Sequence, residues 1–332
     1  MATAPTVDAV VRAAGPHVAA LMGRIEERLA AVIAGHGELL AAHAGSTIAA
    51  GGKRLRPLLV LVAAGPDATG DGVVRAAVAV ELVHSATLVH DDVLDAAALR
   101  RGRPTVVASA GRDIATATGD LLFSRAFAEL ADNGRIDEIQ VLSDAGSALA
   151  AGELLQRADA WDGSVPVQRY LERCELKTAR LFEAACMLGA LEGADADGRV
   201  EALGAFGRRV GLAFQLLDDV LDVSGPAERT GKHRGADLLD GTVTLPLILA
   251  RERDPELAAL DPRSVRTPAE AEAVCAQVEA TGALEEAKRR ALAIVAEAKA
   301  GLPDLPGPQR EALKHAASAG VILASAGDIC VY

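Results

Sequence analysis

The pentapeptide DDVLD occurs twice, at Asp91–Asp95 and at Asp218–Asp222, each time inside an apolar, helix-like run (ELVHSATLVHDDVLD and VGLAFQLLDDVLDV). Ionised carboxylates are not hidden in such runs without partners, because leaving water is far more costly for a charge than for an apolar group. On a helix, residues four apart share a face, so Asp91 and Asp95 point the same way while Asp92 is turned about 100° aside. Asp218 and Asp222 repeat that geometry. Carried back along the same stripes, the polar face takes in His84 before the first pentad and Gln215 before the second. One acidic pentad is readily a solvated helix end. Two identical copies in the same context instead call for two helices that set their carboxylates across a common gap.

The rest of the chain is consistent with helices packed around such a gap. Apolar residues recur at three- and four-residue spacing, as in Val18-Leu21-Ile25-Leu29-Val32 and Leu181-Ala184-Ala185-Leu188, and no convincing alternating strand is found. Breaks are expected at Gly65-Pro66, Asp132-Asn133-Gly134, Trp161-Asp162-Gly163, Gly193-Ala194-Asp195, Ser224-Gly225-Pro226, Asp261-Pro262 and Leu302-Pro303, leaving about ten helical segments. Half of the 332 residues are apolar, but there are only one Trp, two Tyr and five Phe, so Ala, Leu and Val must build the core. That mix favours closely packed helices. No long Pro/Ser-rich linker divides the chain, and one all-α domain over residues 1–332 is the expectation. The polar stretch 225–240, GPAERTGKHRGADLLD, is expected to be a loop over the gap.

Several classes are excluded or disfavoured. A net charge of −12 argues against a nucleic-acid footprint. No window reaches eighteen uninterrupted apolar residues, so no transmembrane segment is expected, and MATAPTVDAVVRAAG has no basic region ahead of an apolar core, so it does not read as a signal peptide. Cys174, Cys186, Cys275 and Cys330 are scattered, which points to a reduced, cytoplasmic setting.

Against the acidic background stand local basic clusters. GGKRLRP gathers Lys53, Arg54 and Arg56, with Pro57 expected as the first residue of the next helix, and a helix start with cationic side chains makes an anion site. LRRGRPT puts Arg100, Arg101 and Arg103 just past the first pentad, and guanidinium forks match phosphate oxygens two at a time. Dense carboxylate oxygens suit Mg²⁺, which is commonly shared between one or two carboxylates and substrate phosphates. Glu81 and His84 also form an E-x-x-H pair of the kind used by di-iron bundles, but those need a second such pair and none is present.

Taken in order, GGKRLRP, HDDVLD with LRRGRPT, GELLQ at Gly152–Gln156, ELKTARLF, FQLLDDVLD and GKHRGADL…TLPLI resemble the motif set of the trans-isoprenyl diphosphate synthases, the polyprenyl synthetase family, across residues 45–250. The resemblance implies an all-α bundle of the isoprenoid synthase type around a central cavity, acting as a homodimer. It implies head-to-tail condensation of isopentenyl diphosphate with an allylic diphosphate, with Mg²⁺ held by Asp91, Asp95, Asp218 and Asp222. Lys53, Arg56, His84 and Arg101 would hold isopentenyl diphosphate. Arg100, Lys177, Thr178, Gln215 and Lys232 would meet the allylic substrate or its leaving group, with Asp91, Asp95, Asp218 and Lys177 at the catalytic centre. Ala86 and Thr87, one turn before the first pentad, would line the product tunnel, and their small size implies a product of geranylgeranyl length or longer.

Two departures stand out: Thr242 occupies a place in DGTVTLP where the family often has Lys, and the C-terminus ASAGDICVY lacks a basic end. Two other readings remain open. A class I terpene cyclase would leave GGKRLRP surplus, and a regulatory subunit of a heteromeric synthase would tend to have lost a pentad, whereas both are intact.

Overall fold

The helix Asp71–Leu94, which carries the first pentad, is apolar around its whole circumference, and a helix of that kind must be covered on all sides. A computed structural model describes residues 7–35, 43, 45, 48, 54–100, 102–193, 198–225 and 234–326. In it this helix is the central rod, packed by Leu55–Ala64, Arg112–Ala131, Ile136–Ala158, Arg180–Glu192 and Pro16–Ala34. By length and composition it could cross a membrane, with 78% of its most apolar window buried inside the bundle.

The second pentad lies on Val200–Ser224, which packs against Arg180–Glu192 on one side and against Ala283–Ala300 and Gly307–Ala326 on the other. One apolar cluster runs from Val10 to Ala319 and is built mostly of Ala, Val and Leu, with the Phe182 and Phe214 rings 5.6 Å apart and tilted by 37° within it. Every member of the stripe Val18, Leu21, Ile25, Leu29 and Val32 is buried, as are Leu181, Ala184, Ala185 and Leu188. The described parts of every expected break fall at a helix end or between helices; Ala194, Asp195 and Pro226 lie outside the described residues, and the described end of the stretch expected as a loop, 225–240, holds the short helix Ala236–Leu239.

Two local expectations change. The helix after GGKRLRP begins at Leu55 rather than Pro57, with Arg54 at its N-cap in the left-handed region (φ 46°). Pro57 still sits in the first turn, where its missing N–H breaks no helical bond. A two-residue antiparallel hairpin also exists, Leu99–Arg100 against Arg103–Pro104. It is too short to leave an alternating signature in sequence.

At the end of the rod remote from the pentad, Glu138 is fully buried beside Glu192, with Asn133 Nδ2 donating to its Oε2 at 3.0 Å and Arg135 and Asp137 at the rim. Burial, then hydrogen bonding with Glu192, pushes the Glu138 carboxyl up to about 8. A carboxyl raised in the fold binds its proton more tightly there than in the unfolded chain. Its contribution is therefore whole below about 4.5, the ordinary glutamate value, and is lost as pH rises through about 8. Glu138→Gln should remove this slope and, at pH 9, stabilise the protein by about 1–3 kcal/mol. Thermal unfolding of both proteins from pH 5 to pH 9 checks this; parallel curves would refute it.

Candidate active site

The first acidic helix stops at Leu94, and Asp95 caps it with its N–H on the Asp91 carbonyl. Ala96 turns the chain through the left-handed region (φ 50°) into the hairpin, which folds Arg100 back onto the pentad. Arg100 Nε and Nη2 both lie 2.8 Å from Asp92 Oδ1, so the middle aspartate, 3% exposed, anchors the hairpin rather than facing the gap. Asp95 accepts from Arg157 at 2.5 Å, Arg157 also reaches Glu153 at 2.7 Å, and Glu153 holds the Lys177 ammonium at 2.6 Å. Asp91 is buried beside this chain of ion pairs. Burial drives its carboxyl up to about 6 against the pull of Lys177, with Glu153 and Asp95 pushing the same way as burial.

The second pentad repeats the division of labour. Asp219, its middle aspartate, is 3% exposed and accepts from Tyr170 Oη at 2.6 Å and Gln215 Nε2 at 2.7 Å. Because a carboxylate only accepts, the Gln215 amide must turn its nitrogen to Asp219 and its oxygen to Thr178, whose hydroxyl donates to it at 2.6 Å. Burial, then the charge of Asp237, lifts the Asp219 carboxyl to about 7, while the bonds from Tyr170 and Gln215 pull it down. The Tyr170 phenol is raised well above its ordinary value, by burial and then by Asp219, and so stays a donor. Asp218 and Asp222 are half-buried, and Asp222 Oδ2 accepts from the Asp237 N–H at 3.4 Å.

Lys177 and Thr178 sit on a π-helical turn, Glu175–Ala179, between Val167–Cys174 and Arg180–Glu192. Such wide turns re-aim side chains within an otherwise regular helix. Gly152 of GELLQ is pressed against this turn: a Cβ there would stand 2.6 Å from the Lys177 backbone nitrogen, so only glycine permits the approach.

Two cavities meet at Lys177. One, of about 250 Å³, is polar and is lined by Asp95, Arg100, Arg173, Lys177, Thr178 and Asp219, so both acidic helices border it. The other, of about 350 Å³, is apolar and is lined by Thr87, Leu88, Phe123, Leu149 and Leu181, with Arg56, His84 and Asp91 also on its wall. At the rim of the polar cavity the single Trp, Trp161, donates its backbone N–H to the Gly241 carbonyl at 2.8 Å. Its ring covers Gly241 so closely that a Cβ there would be 2.4 Å away.

The sequence candidates are distributed over this frame. Asp95, Arg100, Lys177, Thr178 and Gln215 line the polar cavity; Arg56, His84, Thr87, Asp91 and again Lys177 line the apolar one. Lys53, Arg101 and Lys232 lie outside the described residues. Ala86 is fully buried and absent from the wall of the apolar cavity, where Thr87 stands. Glu81 is tied to Arg54 at 2.5 Å, with Glu26 on the same guanidinium at 2.7 Å, which removes the E-x-x-H pair as a metal site. Arg56 lies 4.6 Å over the Phe182 ring, which holds its charge at the cavity wall.

Among the described residues no three acidic, cysteine or histidine side chains converge as a ready-made cation site. Arg100 Nη1 and Arg173 Nη1 are buried without a hydrogen-bond partner among the described residues, and both residues border the polar cavity. Carboxylates alternating with unsatisfied guanidinium groups suit a ligand that brings its own anionic oxygens, and a small divalent cation held between those oxygens and one or two carboxylates.

The polyprenyl synthetase family profile matches residues 38–280. The chain belongs to the polyprenyl synthetase family. It is 42% identical over 238 residues to heptaprenyl diphosphate synthase component 2 of Geobacillus stearothermophilus, covering 71% of this chain and 74% of that protein. It is 37% identical over 276 residues to the octaprenyl diphosphate synthase of Escherichia coli, covering 80% and 84%. The crystal structure of a polyprenyl synthase from Caulobacter crescentus complexed with calcium and isoprenyl diphosphate superposes with a TM-score of 0.87 at 35% identity, over 95% of this chain and 97% of that one. This polyprenyl synthetase therefore has the all-helical isoprenoid synthase fold and is a trans-prenyltransferase.

Sequence reasoning missed four residues of this synthetase's site. Glu153 and Arg157 carry a signal, the four-residue spacing of an ion pair on one helix face. Tyr170 and Arg173 carry none, because their partners Asp219 and Val243 are 49 and 70 residues away in sequence.

Proposed function

We propose that the protein joins isopentenyl diphosphate head-to-tail to an allylic diphosphate, with Mg²⁺, to give an all-trans product of geranylgeranyl length or longer. The observation that carries this is the junction at Lys177, where a cavity ringed by Arg and Asp opens beside a larger apolar one. A diphosphate fits the first and its hydrocarbon the second.

In this reading Arg100 and Lys177 receive the diphosphate of the allylic substrate. Its C–O bond breaks with both electrons on the departing oxygen, and these cations, fixed beforehand, meet the growing negative charge. The double bond of isopentenyl diphosphate, held near Arg56 and His84, attacks the allylic cation, and a proton then passes to the released pyrophosphate. Asp91, Asp95, Asp218 and Asp222 would hold Mg²⁺, which supplies charge neutralisation on the leaving group. Thr178 donates a hydrogen bond from its hydroxyl to Gln215 Oε1, which fixes the orientation of both side chains at the wall of the polar cavity.

The test is to incubate the purified chain with Mg²⁺, isopentenyl diphosphate and a series of allylic primers, and to weigh the products. Elongation is expected with the wild type and none after chelation of divalent ions. Cyclised products without elongation would favour a terpene cyclase. No turnover by the chain alone, restored by a second protein, would favour a component of a heteromeric synthase, as the name of the Geobacillus relative describes that protein. Because burial holds the metal-free Asp91 carboxyl up to about 6 and Mg²⁺ needs it ionised, the Mg²⁺ concentration required for half-maximal kcat/KM should rise as pH drops through about 6. A requirement flat to pH 5 would remove Asp91 from the Mg²⁺ site.

A homodimer in the cytoplasm completes the reading. It is supported by exposed Ile114, Ile136 and Leu154 on the neighbouring helices Arg112–Ala131 and Ile136–Ala158, and by cysteines 174, 186 and 275, which are buried and unpaired.

A further inference from the structure

Buried arginines almost always have acceptors for their N–H groups, since each one left without costs about as much as a lost hydrogen bond. Arg173 is 3% exposed and departs from that rule in one direction only. Its Nη2 donates to the Val243 carbonyl at 2.6 Å, and its guanidinium carbon lies 5.5 Å from the centre of the Tyr170 ring. Among the described residues its Nη1 is buried with no hydrogen-bond partner, and the residue borders the polar cavity beside Lys177, Gln215 and Asp219. The side chain is thus fixed on two sides, by a carbonyl and an aromatic face, and keeps one donor without an acceptor among the described residues while the residue lines the cavity.

The position of that anchor matters. Val243 lies between Thr242 and Thr244, which line the same cavity, and Thr242 is where the family resemblance leads one to expect a lysine. The Thr242 hydroxyl carries no charge, whereas Arg173, bound to the next residue's carbonyl, brings a permanent positive charge to the same wall.

We propose that Arg173 is a further diphosphate-binding residue of the site: its Nη1 takes an anionic oxygen of the allylic diphosphate and of the pyrophosphate released from it, supplying from the helix Val167–Cys174 the cation that Thr242 does not. This rests on the proposed function and names a contact within it. Arg173 is distinct from the cations that face isopentenyl diphosphate, because Arg56 and His84 line the other cavity. When the allylic C–O bond breaks, the electron pair goes to the diphosphate oxygen, and Arg173 meets the added charge. Tyr170 and Asp219 act through it as positioning residues: the phenol is held by the carboxylate while its ring face supports the guanidinium.

The experiment measures binding of inorganic pyrophosphate and of isopentenyl diphosphate by calorimetry with Mg²⁺, in wild type, Arg173→Gln, Arg173→Lys and the double variant Arg173→Gln, Thr242→Lys. Arg173→Gln should weaken pyrophosphate about 10- to 100-fold, as loss of a charge-assisted bond does. Isopentenyl diphosphate should stay within about twofold, which also shows that the variant is folded. Arg173→Lys should lose less than Arg173→Gln, since it keeps the charge but not the fork. Adding Thr242→Lys to Arg173→Gln should restore much of the loss. Unchanged pyrophosphate affinity in Arg173→Gln, or equal weakening of both ligands, would overturn the assignment. A double variant no better than Arg173→Gln would overturn the link to Thr242. Wild type that binds pyrophosphate but elongates no primer would refute the proposed function while leaving the Arg173 contact measurable.

Discussion

Asp91→Ala, Asp218→Ala double substitution should lower turnover at least about 10³-fold, the scale on which preorganised charge stabilisation acts. It should do so without a matching loss of stability. Burial already pushes the Asp91 carboxyl up to about 6, so at neutral pH the fold carries a charge that it does not favour, and removing it relieves the bundle. The contrast is Asp92→Ala, which strips Arg100 of its carboxylate. Breaking a buried pair from one side costs about 3–5 kcal/mol, so that variant should lose unfolding temperature first and activity as a consequence. Single-turnover rates and thermal unfolding measured on the same preparations separate the two cases. Full turnover by the Asp91, Asp218 variant would end the case for acidic helix faces at the reaction centre.

The second large effect is on product length. Thr87→Phe sets an aromatic ring on the wall of the apolar cavity, which Phe123 also lines, in a space of about 350 Å³. Growth should then stop earlier, and the product distribution should shift to shorter chains by one or more isoprene units. The neighbouring substitution Ala86→Phe should behave differently. Ala86 is fully buried away from that wall, so a ring there overpacks the core and destabilises by about 1–3 kcal/mol or more. Mass spectrometry of products from both variants, beside their unfolding curves, decides. Shortened products from Ala86→Phe with an unshifted unfolding temperature, and none from Thr87→Phe, would reverse the assignment.

The difference between Ala86 and Thr87 illustrates what sequence could and could not convey. Helical periodicity identified the buried stripes and the breaks between helices, because burial on a helix repeats every three to four residues whatever the partner. The same rule put Asp91 with Asp95 and Asp218 with Asp222, and turned the middle aspartates aside. It could not say what met them. Arg100 arrives by a hairpin too short to register as strand, and Tyr170 comes from another helix, so neither partner follows from local spacing. A tunnel wall is a still finer matter: adjacent residues differ by about 100° around the helix, and only the neighbouring helices decide which of the two faces the cavity. The ion-pair chain from Lys177 through Glu153 and Arg157 to Asp95 was half legible, in the spacing of Glu153 and Arg157, but its ends are joined only by the fold.

Trp161, seated on Gly241 at the mouth of the polar cavity, gives the enzyme a built-in optical reporter. Being the sole indole in the chain, it emits without interference from others, and its neighbours Asp240 and Thr242 border the chamber where a highly charged ligand would arrive. Its emission can therefore follow occupancy of that chamber in stopped flow, with no label and no radioactive substrate.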